Sequence, residues 1–155
     1  MNSQMLFIAP KDTRKLEGNS FTWNLGAGPI HAETTSFALH FFPPTAKYTW
    51  FLSASTGFVS TDTWFYFQIG VDYVSDEVMD ATYTLEGGFS FVHVHSLPDR
   101  PGWVVMVYAD RAELTIRLDP KGGTAKGHFI AHFETDGYDM HPTGTFELIR
   151  DDMKN

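Results

Sequence analysis

The sequence predicts an all-β protein, an antiparallel β-sandwich or a small β-barrel of about eight to ten strands with little or no helix. Apolar residues recur at every second position in short runs, and Gly, Pro, Asp or Ser bound these runs. Aromatic residues are abundant, with 14 Phe, 6 Tyr and 4 Trp among 155 residues. Rings of this kind suit pleated, half-buried surfaces, so the composition also favours strands.

Ten segments show the pattern of a strand. The alternation is plain near the start, where Phe21, Trp23 and Leu25 share one face. One later segment is apolar on both faces, which is typical of a central strand. The predicted strands are 20–25, 36–42, 48–54, 64–71, 81–85, 89–96, 103–108, 113–118, 125–134 and 145–149.

The connections between these segments carry turn chemistry. Pro43-Pro44 ends one strand because proline has no N–H to donate, and Pro101-Gly102 suits the centre of a type II turn. The best helical candidate is the acidic stretch 74–81, which is short for a helix. We therefore expect one β-domain over 1–155, with polar, mobile ends near 1–5 and 151–155.

Charge and composition exclude several function classes. The formal net charge of −8 repels polyanions, so we expect no nucleic-acid partner. The chain has no cysteine, which excludes thiolate chemistry and cysteine-ligated zinc. No run reaches the roughly 18 apolar residues of a membrane span. The amino terminus lacks the pattern of a signal peptide, which favours a cytoplasmic protein, although export by another route stays open.

The seven histidines are the most informative polar residues. His93 and His95 lie two apart on one predicted strand and so share a face, as do His128 and His132. One hypothesis is a transition-metal site made by His93, His95 and one of Asp99, His128 or His132. The alternative is that all of them are structural histidines bonded to neighbours in the sheets.

One motif extends the metal hypothesis: Gly87, five residues, His93, one residue, His95, three residues, Asp99. It resembles the first metal-binding motif of the cupin family, β-barrels that hold a metal with two such histidines, an acid and a later histidine. The stretch Pro142-x-Gly144-x-x-Glu147 is similar to the start of their second motif, with Glu147 where the late histidine stands. The resemblance implies a metal-dependent enzyme or a metal-binding protein with one divalent transition metal on His93 and His95.

The loop 136–141 contains two acids and a histidine. Its spacing does not match a calcium-binding EF-hand loop, which needs oxygen ligands at fixed offsets. We therefore predict a solvated turn for this segment.

The aromatic residues offer a second kind of site. Tyr48, Trp50, Trp64 and Tyr66 stand on neighbouring predicted strands. Rings that stay outside the core could stack on a ligand or anchor a protein partner. We take these four as candidate ligand-binding residues, with burial in the core as the alternative.

These observations favour a non-catalytic binding domain without a cofactor. Its aromatic and polar groups would contact a protein partner, a second copy of the chain or a small ligand. The cupin-like metal protein is one alternative, and a structural subunit of a larger assembly is another.

Overall fold

The computed structural model describes residues 17–153, which contain eleven strands and one short 3₁₀ turn. No helix in this part of the chain is long and apolar enough to cross a membrane. The elements are β1 (Ser20–Asn24), β2 (Pro29–His31), β3 (Thr34–Phe42), β4 (Lys47–Thr56), the 3₁₀ turn (Val59–Thr61), β5 (Phe65–Asp72), β6 (Met79–Thr84), β7 (Phe89–Ser96), β8 (Val104–Tyr108), β9 (Arg111–Asp119), β10 (Thr124–His132) and β11 (Thr143–Ile149).

The strands form two antiparallel sheets. The six-stranded sheet has the order β2-β1-β11-β10-β9-β6, and the five-stranded sheet has the order β3-β4-β5-β7-β8. The chain crosses between the sheets after β2, β5, β6 and β8. The all-β prediction is confirmed, and of its two forms the structure adopts the sandwich.

The structure adds two local details that the sequence pattern did not give. The segment 74–81 is not helical, since β6 begins at Met79 and pairs with β9, placing Ala81 opposite Ile116. This pairing gives Met79, Ala81 and Tyr83 a packed face, which a short acidic helix would lack. Strand β2 was not predicted because it is only three residues long and follows a glycine-rich break.

The core lies between the two sheets and is dominated by rings. Phe67 of β5 stands at its centre, with ring centroids 5.2 Å from Trp23 of β1 and 6.0 Å from Phe129 of β10. Edge-on contacts of this kind are a favoured arrangement of aromatic pairs. Because Phe67 belongs to one sheet and its two neighbours to the other, these contacts fasten the sheets together.

Two glycines make room for core rings by cross-strand pairing. Gly144 lies opposite Phe129, and Gly127 lies opposite Phe146. A Cβ atom at Gly144 would stand 2.4 Å from Cζ of Phe129, and one at Gly127 would stand 3.0 Å from Cζ of Phe146. The rings therefore lie over bare backbone, which explains glycine in the middle of two central strands.

The two outer faces of the sandwich differ sharply. Across the six-stranded sheet the register aligns one polar row, made of His31, Thr22, Thr145, His128, Thr115 and Thr82. The outer face of the five-stranded sheet instead carries a second apolar cluster of Trp64, Tyr66, Val94 and Val104. Only the first of these faces has the composition of a fully solvated surface.

The carboxyl-terminal segment is fastened to the edge of the five-stranded sheet. The Asp151 amide donates to the Phe37 carbonyl at 2.9 Å, and a carboxylate oxygen of Asp152 accepts from the Leu39 amide at 3.0 Å. Asp151 and Asp152 belong to the end predicted to be mobile, yet both are hydrogen-bonded to β3. Residues 1–5 and 154–155 lie outside the described part of the chain.

Asn19 is the buried polar residue that joins the two sheets at this end. Its side-chain amide donates to Oγ1 of Thr35 at 2.9 Å, and its side-chain oxygen accepts from the Ile149 amide at 2.7 Å. Replacement by Ala leaves the Ile149 amide without its partner in a partly buried setting. We expect Asn19→Ala to lower the free energy of unfolding by about 1–3 kcal/mol in urea denaturation. Asn24→Ala, which removes an exposed turn bond to Gly26, serves as the control and should cost less.

Candidate functional sites

The structure does not bring the predicted metal ligands together. His93 and His95 point into the sandwich from β7, and Asp99 is exposed in the turn after β7. His128 and His132 lie on the outer face of β10, in the other sheet. Four residues apart on one strand, these two side chains are themselves roughly 13 Å from each other.

His93 is a fully buried imidazole, with 0% of its surface exposed. Its ring stacks on Phe65 at 5.5 Å and meets the edge of Phe133 at 4.5 Å. Neither ring nitrogen has a hydrogen-bond partner among the described residues. Burial, with a smaller contribution from His95, lowers the pKa of His93 to about 3. The ring is therefore neutral at physiological pH and acts as part of the aromatic core.

His95 lies where the core meets the loop that follows β10. Its Nδ1 is 2.9 Å from the Ser96 carbonyl, and its Nε2 is 2.7 Å from the Tyr138 hydroxyl. In the neutral imidazole Nδ1 donates to the carbonyl, so Nε2 accepts a hydrogen bond from the Tyr138 hydroxyl. Both nitrogens are thus engaged, and among the described residues no third imidazole or carboxylate joins His93 and His95 as a metal ligand.

The loop after β10 is itself a tight β-hairpin. Phe133 and Met140 form an antiparallel bridge, with backbone bonds of 2.8 and 3.0 Å. Asp136 and Gly137 form the turn with φ values of 58° and 86°. Two successive residues with positive φ are characteristic of the two-residue turns that match strand twist, and Asp-Gly is a preferred pair for them. The segment predicted to be a solvated turn therefore has a fixed register.

That register gathers four polar side chains on the outward face, the hairpin cluster: His132, Glu134, Asp139 and His141. One step from the Phe133–Met140 bridge, His132 faces His141, with ring centroids 5.0 Å apart. On the other side of the bridge, toward the turn, Glu134 lies opposite Asp139. Nε2 of His141 lies 3.6 Å from Oε2 of Glu134 and 3.5 Å from Oδ1 of Asp139. One ligand atom from each of His132, Glu134 and His141 lies within 4.8 Å of the other two.

Neighbouring charges fix the position and ionisation of Glu134. Its Oε1 accepts from Arg111 at 3.0 Å, and this bond, chiefly, lowers the pKa of the carboxyl. The Asp110 carboxylate accepts from the amides of Glu134 and Thr135 at 2.5 and 3.1 Å and from the Thr135 hydroxyl. The hairpin cluster therefore stands on an anchored backbone.

Sequence reasoning selected His132 but missed its partners. The signal was present in the sequence, because His132-x-Glu134 and Asp139-x-His141 flank Asp136-Gly137 symmetrically. An Asp-Gly pair between two alternating segments predicts a hairpin, and a hairpin would have placed these residues opposite each other.

A second candidate site is a groove of about 390 Å³ on the outer face of the five-stranded sheet, here called the aromatic groove. Phe42, Phe51 and Tyr108 supply its main rings, while Val92 and Met106 add apolar surface. Polar groups come from His40, Gln68 and Ser90. The groove thus combines flat apolar surfaces with a few hydrogen-bonding groups, as small-molecule sites do.

A glycine in β5 leaves space beside this groove. Gly70 lies between Phe51 and Ser90 in the register of the sheet. A Cβ atom there would be 2.6 Å from Oγ of Ser90 and 3.4 Å from Cε1 of Phe51. Glycine at this position therefore lets both side chains approach each other over the strand.

The four aromatic residues predicted to bind a ligand do not share one surface. Tyr48 is 55% exposed and meets the Phe41 ring at 5.4 Å. Trp50 is a core residue with 0% exposure, capped by the Arg150 guanidinium at 4.8 Å. Trp64 and Tyr66 are buried and stack at 4.9 Å on the outer face. The rings of the groove, Phe42, Phe51 and Tyr108, were not selected because the sequence pattern did not reveal which face of their strands lies outside the core.

Comparison with protein-family models, with curated proteins and with solved structures finds no match for this chain. Functional inference therefore depends on the geometry of its side chains.

The buried His93 makes stability depend on pH in a defined window. The unfolded chain takes up a proton on this ring near pH 6.5, whereas the folded protein keeps it neutral down to about pH 3. The contribution of His93 to the free energy of unfolding is fully present above pH 6.5 and is lost as the pH falls toward 3. At pH 5 this loss amounts to about 2 kcal/mol. We expect His93→Leu to abolish this part of the loss between pH 7.5 and 5, measured by urea denaturation at each pH.

The exposed His128 provides the matched control for that experiment. His128→Ala should retain the pH dependence of the wild type. A His93→Leu variant that loses as much stability between pH 7.5 and 5 as the wild type would show that His93 is not the responsible group.

Proposed function

We propose that this chain is a non-catalytic binding domain that takes an uncharged small molecule with a flat apolar ring system in the aromatic groove. The observation that carries the proposal is the grouping of Phe42, Phe51 and Tyr108 around the polar side chains of Gln68 and Ser90. Rings of the protein would stack on the ligand, and the amide and hydroxyl groups would orient it.

Charge supports an uncharged ligand. None of the described residues that line the groove is Lys, Arg, Asp or Glu. The whole chain carries a formal net charge of −8, which opposes the approach of anions. A cation would find no carboxylate among these lining residues to pair with.

Contrast with the other sheet also supports this location. The outer face of the six-stranded sheet holds exposed ion pairs, Lys126–Glu147 at 3.3 Å and Arg117–Asp80 at 3.1 Å. Charged and hydroxyl-bearing groups of this kind are well solvated, so the part of the face that they occupy gives an apolar ligand little to contact. The aromatic groove, by contrast, offers ring surface, and its volume lies at the lower end of the range for small-molecule pockets, about 300–1,000 Å³.

The test uses N-phenyl-1-naphthylamine, a neutral, ring-rich dye whose fluorescence rises in apolar sites. We expect saturable binding to the wild type at one site per chain. Phe42→Ser removes a rim ring that is 38% exposed, so the variant should fold normally and bind about tenfold more weakly. Phe58→Ser removes a ring that is 64% exposed and lies outside the groove, and it should bind like the wild type.

Two outcomes would contradict the proposal. One is the absence of saturable binding, or an equal loss in Phe42→Ser and Phe58→Ser. The other is a concentration-dependent dimer in light-scattering measurements that Phe42→Ser abolishes, because the groove would then be an interface between two copies.

A further inference from the structure

The hairpin cluster has the donor set of a transition-metal site. It offers two imidazoles and two carboxylates, a combination that suits zinc better than calcium or magnesium, which prefer oxygen ligands alone. A tetrahedral zinc ion with bonds of about 2.0–2.1 Å holds neighbouring ligand atoms about 3.4 Å apart. Two of the separations in the cluster, 3.5 and 3.6 Å, are already close to this value.

Small side-chain movements would complete the site. The ligand atoms of His132, Glu134 and His141 lie within 4.8 Å of each other, so each needs to shift by less than about 1 Å toward a common centre. Asp139 has a side chain that is 89% exposed and is free to rotate toward the same centre. The backbone beneath them is fixed by the Phe133–Met140 bridge and by Asp110.

His132 adds an independent indication. Its Nδ1 is buried and has no hydrogen-bond partner among the described residues. A buried imidazole nitrogen without a partner costs free energy unless something binds it or the ring turns. Rotation of the ring toward His141, only 5.0 Å away between centroids, would bring a nitrogen to the shared centre.

The local charge also allows a dication. Arg111 binds Oε1 of Glu134 and leaves Oε2 directed toward His141. With Glu134 and Asp139 ionised, the four side chains carry two negative charges against the single positive charge of Arg111. We propose that the hairpin binds one Zn²⁺ ion through His132, Glu134 and His141, with Asp139 as the fourth ligand.

The experiment is a calorimetric titration of the full chain, stripped with a chelator, with zinc chloride. We expect one ion per chain. His141→Ala and Glu134→Gln, both at exposed positions, should each weaken binding by at least tenfold. His128→Ala, on the same strand face but outside the cluster, should stay within twofold of the wild type. Cobalt in place of zinc should give the visible absorption of a tetrahedral site.

Further readouts separate this site from other histidines and from misfolding. His95→Gln should lower zinc affinity far less than His141→Ala, because His95 supplies no ligand and reaches the hairpin only through its bond to Tyr138. Saturating zinc should raise the melting temperature of the wild type but not that of His141→Ala. The proposal is wrong if binding is not saturable, if His128→Ala loses as much affinity as His141→Ala, or if His95→Gln alone abolishes binding.

Discussion

The packing of aromatic rings between the two sheets is the interaction on which this structure depends. Phe67 contacts Trp23 and Phe129 across the interior, and Phe129 in turn lies over Gly144 of the neighbouring strand. Phe129 and Phe146 occupy space that the bare backbone of Gly144 and Gly127 leaves open, so registers and side chains fix one another. Since a shift of one residue would turn every ring of a strand outward, the dense core also specifies the pairing of the strands.

This constraint explains why so much of the fold could be predicted from the sequence. Phe21 and Trp23, or Leu114 and Ile116, alternate with polar residues, and that alternation both predicts a strand and names its buried face. Strand order could not be predicted, because it depends on pairings such as β1 with β11, more than a hundred residues apart in the chain. The short β2 escaped prediction for a related reason, since its pairing with β1 stabilises it and its own sequence does not.

The sites were harder to predict than the fold. The alternating pattern identifies the buried side chains of each strand, but it does not show which of the remaining side chains lie close together in space. His93 and His95 share a strand face, as the sequence predicted, but that face is the core, where His93 stacks on Phe65 and His95 bonds to Tyr138. Two histidines on one face of a strand were therefore not enough to predict a metal site, because their spacing does not show where a third ligand lies. To predict the cluster around His141 one must know the register that a single Asp-Gly turn sets. To predict the groove one must know that Phe42 extends past the core.

The hairpin between β10 and β11 connects the interior with the proposed metal site. Successive residues of an extended segment point to opposite sides, so Tyr138 and Met140 pack inward while Asp139 and His141 face outward. Tyr138 also binds His95 and places its ring 5.3 Å from that of His93. An ion that draws His141 toward His132 would therefore hold the same backbone that carries Tyr138. Zinc on the outer face and the Tyr138–His95 bond on the inner face would then stabilise one hairpin from its two sides, with Phe133 and Met140 between them.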